Sequence, residues 1–85
     1  MSFVPVFAPD ARSQWRELPI VLQELVLDDM ERLAESPPPP PAFEVFHDVF
    51  QEIGQISHYV FLRSIIDHSR RTVTVIGVAH VRKPP

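Results

Sequence analysis

The chain has 85 residues, 45% hydrophobic content, no cysteine and a formal charge of -3, which suits one small core and so a single domain over residues 1–85. Without cysteine there is no disulfide staple and no thiolate metal site; no apolar run approaches the ~20 residues of a membrane span, and the N-terminus lacks the basic and apolar regions of a signal peptide. A cytoplasmic protein without membrane attachment, held together by packing or by a partner, is expected.

The acidic balance argues against a surface built throughout to hold nucleic acid, but the charge is unevenly placed. Met1 to Glu52 holds ten acids and three bases, whereas Ile53 to Pro85 holds one acid, five bases and three of the four histidines. Chemistry is therefore expected in the C-terminal third.

In chain order, Phe3 to Phe7 is apolar and extended in character, and Pro5, lacking an N–H, predicts an edge strand. Pro9-Asp10 suits a helix start, with Ala11, Trp15 and Leu18 on one face and an end at Leu18-Pro19. Pro19 then opens a second helix to about Glu35, with Leu22, Val26, Met30 and Leu33 as its apolar stripe and Leu25 beside it, so the two form a helical hairpin. Its other face, Gln23, Glu24, Asp28, Glu31, Arg32 and Glu35, reads as solvated surface.

Ser36 and Pro37 to Pro41 end the helix, and the five prolines read as a stiff, left-handed extended connector rather than as a ligand for an aromatic groove. Ala42 to Ile53 is open between two readings. Ala42, Phe43, Phe46, Val49, Phe50 and Ile53 recur with a helical period, which favours a helix, while Asp48 to Ile53 followed by Gly54 also suits a strand.

Tyr59 to Ile66 and Thr72 to Arg82 are rich in β-branched and aromatic residues and predict an antiparallel hairpin closed by a loop at Asp67 to Arg70. Alternation sets Val60, Leu62 and Ile66 with Val73, Val75, Gly77, Ala79 and Val81 against the helices. In that register Arg63 opposes Thr74, Phe61 opposes Ile76 and Tyr59 opposes Val78, so Tyr59, Arg63, His80 and Arg82 share the face away from the helices. Phenol, guanidinium and imidazole together on a rigid element suit phosphate positioning and proton transfer.

Other templates are missing. The chain has no glycine-rich phosphate loop, no His-Glu-x-x-His and no nucleophile elbow. His47 and Asp48 are adjacent and point apart, so neither metal nor cofactor is expected.

The order of elements, Phe3 to Ala11, the helices meeting at Leu18-Pro19 and running through Met30 to Ala34, Tyr59-Val60-Phe61, Ile66-Asp67, and Thr72 to Arg82 with His80, resembles the RelE/ParE superfamily of type II toxin–antitoxin and plasmid-stabilisation toxins. The resemblance implies an α+β fold, β-α-α-β-β-β, in which a small antiparallel sheet carries an N-terminal helical hairpin on one face, and it makes Asp48 to Ile53 a second strand. It implies a growth-inhibiting toxin acting through mRNA cleavage or through DNA gyrase, with a cognate antitoxin as partner and a homodimer as one open assembly. For the nuclease branch, a ribosome-dependent endoribonuclease, the candidate catalytic residues are Arg63, His80 and Arg82, with Tyr59, Arg70, Arg71 and Lys83 as candidate binding residues. Lys83 is the only lysine, and the alternative is a non-catalytic binding or structural protein of the same fold.

Overall fold

The apolar, proline-interrupted start forms strand β1 (Val4–Phe7) in the computed structural model, which describes residues 2–85. Helix α1 (Pro9–Arg16) follows at once, with proline at its first position, Asp10 in the first turn and Arg16 in the last, each suited to the helix dipole. It stops two residues before Leu18, as Pro19 disfavours helical geometry in its predecessor. Helix α2 (Ile20–Glu35) begins immediately after Pro19, whose carbonyl accepts from the Leu22 and Gln23 N–H groups.

The joint between the helices is tied by one side chain. Gln23 Nε2 donates to the Arg16 and Leu18 carbonyls at 3.0 and 2.8 Å, satisfying carbonyls that the end of α1 leaves without helical partners, and Trp15 Nε1 donates to the Gln23 carbonyl. The expected stripe is buried at Leu22, Val26 and Met30 and continues to Ala34, with Leu25 and Leu33 at its margin. After Ser36, Pro37 to Pro39 have no regular secondary structure, and the chain turns at Pro40-Pro41, across a cis peptide bond. The turn at its end departs from the expected uninterrupted extended connector.

Three long strands complete the chain: β2 (Glu44–Ile53), β3 (Ile56–Asp67) and β4 (Thr72–Lys83). The helical reading of Ala42 to Ile53 is overturned, and the strand starts four residues before Asp48. Ten positions of β2 pair with β3, and tertiary pairing of this kind overrides a weak helical period. Gly54, at φ 65°, makes the tight two-residue turn into β3.

The sheet order is β1-β4-β3-β2. The three long strands pair antiparallel with one another, whereas β1 runs parallel to β4, so the sheet is mixed rather than wholly antiparallel. Pro5 lies on the edge strand β1, where a missing N–H costs no ladder bond on the outer side. One face of the sheet is covered by the helical hairpin, where Ala11, Leu22, Val26 and Met30 meet Val49, Val60, Leu62, Val75 and Val78. Ala34, Ile66 and Val73 form a second cluster nearer the turn.

The β3–β4 register departs from alternation. The turn spans His68 to Arg71, one residue later than Asp67 to Arg70, because Asp67 pairs with Thr72 and its Oδ1 accepts from the Arg70 N–H. Ser64 opposes Val75 but Arg63 opposes Gly77, leaving Ile76 as the extra residue of a β-bulge. Arg63 therefore does not oppose Thr74, Phe61 lies opposite Ala79 rather than Ile76, and Tyr59 lies opposite Val81 rather than Val78.

Candidate functional site

The bulge decides where the candidate residues stand. Before it Val73 and Val75 are buried toward the helices; after it Val78 is buried and His80 half-buried, while Ala79 and Val81 are exposed. The single extra residue reverses which positions of β4 face inward. Tyr59 and Arg63 stay on the outer face, but His80 and Arg82 turn to the helix side, so the four do not share one face, and Gly77, Ala79 and Val81 are not helix-facing. The one local signal was Gly77, since a glycine inside a strand often marks a bulge; the run Val75-Ile76-Gly77-Val78 has no polar residue to reveal the change of phase.

On the helix side, at the far end of the sheet, His80 meets a partner that sequence reasoning did not select. His58 is buried, and its Nδ1 lies 2.9 Å from His80 Nε2 with the rings stacked 5.1 Å apart. One ring must contribute N–H and the other a lone pair, so a proton lies between them. His80 is held below the ordinary histidine pKa, first by burial, then by the Arg82 guanidinium and then by His58. A cleft of about 210 Å³ opens here between α1 and β4, lined by Gln14, Glu17, Leu18, Val78, His80 and Arg82. Gln14 Oε1 accepts from the Val78 N–H just past the bulge and so fixes α1 to this edge of β4. An imidazole biased toward neutrality beside a guanidinium can accept a proton and hold an anion.

A second polar cluster lies under α2. The Asp29 carboxylate pairs with His47 Nδ1, and His47 Nε2 lies 2.9 Å from Ser64 Oγ. The order carboxylate, imidazole, hydroxyl is that of a nucleophilic triad, but Ser64 is completely buried and no substrate atom can reach it. The cluster joins α2 to β2 and β3, and no local motif announces residues so scattered in the chain.

The outer face is aromatic. Phe50 and Tyr59 lie 5.0 Å apart, Tyr59 and Phe61 stack at 6.4 Å, Lys83 sits 5.6 Å from the Tyr59 ring, and Arg63 sits 5.9 Å from the Phe46 ring. Arg63 also donates to Glu44 at 2.9 Å, so its charge is compensated. Phe46, Phe50 and Phe61 are 73%, 51% and 47% exposed. Beside them an open groove of about 420 Å³ crosses the bulge, lined in part by Asp10, Phe46, Phe61, Arg63, Gly77 and Ala79. Arg70 and Arg71 stand apart from all of this, exposed at the β3–β4 turn with Arg70 near Asp67, about 30 Å along the strand from His80 at ~3.3 Å per residue. Among the described residues no three metal-ligating side chains converge, and no helix is long and apolar enough to cross a membrane.

No family model matches the chain, and no curated protein matches it. Solved structures do. An arginine-to-alanine mutant of the E. coli toxin RelE in the free state superimposes with a TM-score of 0.70 over 93% of this chain and 83% of that one, at 18% identity. The chain has the RelE fold. The intact E. coli RelBE toxin–antitoxin complex matches with a TM-score of 0.70 over 96% of this chain and 100% of the other at 16% identity. The RelBE2 complex of Mycobacterium tuberculosis matches at 0.67 over 95% and 93% at 20% identity. The likeness covers the α+β order β-α-α-β-β-β.

Proposed function

We propose that this protein is the toxin-like component of a type II toxin–antitoxin module, inhibiting growth until a cognate antitoxin protein covers it. The observation that carries this reading is the fit of nearly the whole chain to toxins of the RelE fold, both free and within toxin–antitoxin complexes. An uncovered aromatic sheet face supports it independently, since contiguous exposed apolar surface marks a protein-binding site.

Of the two inhibitory targets, mRNA cleavage is favoured over DNA gyrase by the His58–His80 pair beside Arg82. As the 2′-oxygen of RNA attacks the adjacent phosphorus, its proton passes to the neutral His80 imidazole, Arg82 holds the charge on the phosphate, and the P–O5′ bond breaks with the leaving oxygen taking a proton from water. Arg63, compensated by Glu44 on the other face, has no part in this step. The non-catalytic alternative is favoured by the single lysine and by the apolar outer face.

Expression of the chain alone, and together with the product of an adjacent short reading frame, tests the reading. Growth arrest relieved by a copurifying partner supports it; no arrest and no complex overturns it. Mapping mRNA 5′ ends during arrest separates the targets. New ends that vanish in His80→Ala and Arg82→Ala support cleavage, whereas arrest with intact mRNA and blocked supercoiling selects gyrase.

A further inference from the structure

The outer sheet face combines two properties that together describe its ligand. Four of the six phenylalanines, Phe43, Phe46, Phe50 and Phe61, are exposed, and three of them lie beside the Tyr59 ring system or the groove over Gly77 and Ala79. The groove floor is open, for a methyl group added at Gly77 would touch only Arg63 Cβ, at 3.6 Å. On β2 this face reads Glu44, Phe46, Asp48, Phe50, Glu52, acid and aromatic in strict alternation, with like residues about 13 Å apart, four strand positions at ~3.3 Å each. Glu44 is engaged by Arg63, while Asp48 and Glu52 have no ion-pair partner among the described residues. Asp10 lines the opposite side of the groove.

We infer that this face is a docking site for a cationic amphipathic segment of the partner protein, its apolar side chains seated against Phe46, Phe50 and Phe61 and its Lys or Arg residues on Asp48, Glu52 and Asp10. Aromatic anchors ringed by charges are the usual make-up of a protein interface core and rim. The carboxylates choose among occupants. With Arg63 compensated by Glu44, Asp10, Asp48 and Glu52 outnumber the one remaining cation of this face, Lys83 on the Tyr59 ring, so the face disfavours nucleic-acid phosphates and anionic lipid headgroups, and a second copy laid face to face would set one acidic row against another. The inference takes the partner's identity from the toxin–antitoxin reading, but the surface and its ligand chemistry stand on the residues named.

Binding of three labelled probes to the full chain, followed by fluorescence anisotropy, tests it: a peptide of alternating Leu and Lys, the same peptide with Glu for Lys, and a uridine oligonucleotide. The lysine peptide is expected to bind, to lose at least tenfold in affinity against the double variant Phe46→Ser/Phe50→Ser, and to yield to the glutamate peptide against Asp48→Lys/Glu52→Lys. Equal binding of the two peptides, indifference to both double variants, or displacement of the peptide by the oligonucleotide would overturn it. Circular dichroism confirms that these exposed substitutions leave the fold intact. A copurifying neighbour-encoded partner whose binding ignores both double variants refutes this docking site and leaves the toxin–antitoxin reading standing; peptide capture here without growth arrest or a copurifying partner does the reverse.

Discussion

The two faces of the sheet are made from the same strands and from similarly apolar residues, yet they do opposite things. Toward the helices Val49, Val60, Leu62, Val75 and Val78 are buried against Leu22 and Val26; away from them Phe46, Phe50 and Phe61 remain in water. The larger side chains are on the side that gains nothing from burial in the folded chain. Hydrophobicity alone therefore does not identify a core. What decides is whether another element of the same chain covers the face, and a bare face rich in aromatics is available for binding.

Loss of packing on the helix-covered face is expected to have the largest effect. Leu22→Ala should cost about 2–5 kcal/mol in urea unfolding, because it leaves a cavity between α2 and the sheet. Deletions around the bulge should come next and should differ from one another. Removing Ile76 restores regular alternation, keeps Val78 inward and keeps His80 beside His58. Removing Ala79 instead turns His80 and Arg82 to the outer face, so histidine ring contacts in NMR spectra should survive the first deletion and vanish in the second.

Asp29→Ala removes the partner of His47 while leaving His47 and Ser64 in place. An unpaired polar group in that setting should cost about 1–3 kcal/mol, measurable by chemical denaturation. A smaller effect is expected from acid. His80 titrates below the ordinary 6.5 in the folded chain, so below that pH the unfolded chain binds the extra proton first, and stability should fall as pH drops from about 6.5 through the folded value. His80→Gln should flatten that part of the profile. Phe50→Ala, on the outer face, loses only its cross-strand pairing with Tyr59 and should cost about 1 kcal/mol or less, well below the effect at Leu22.

Much of this organisation was legible in residue order. Pro9, Pro19 and the Leu22, Val26, Met30 spacing announced both helices and the buried face of α2, and Pro5 announced an edge strand, because proline geometry and a 3.6-residue period are local properties. The resemblance to RelE/ParE toxins rested on that order and agrees with the fold. The site was less legible. Alternation alone puts Tyr59, Arg63, His80 and Arg82 on one face; Tyr59 and Arg63 lie there, whereas His80 and Arg82 lie on the other, since a bulge among apolar residues leaves no polarity signal. His58 and the Asp29–His47–Ser64 cluster went unselected, as their members meet across three elements and share no spacing.

Short-range physics acting between neighbouring residues settles where helices start and stop, which residues pave α2, and where positive charge accumulates along the chain. Long-range pairing is needed to extend the strand expected at Asp48 to Ile53 back to Glu44, to run β1 parallel to β4, and to let one extra residue at Ile76 part His80 from Arg63. Each of those outcomes depends on pairing between segments distant in sequence, where ladder hydrogen bonds and the cover provided by α1 and α2 outweigh local preference.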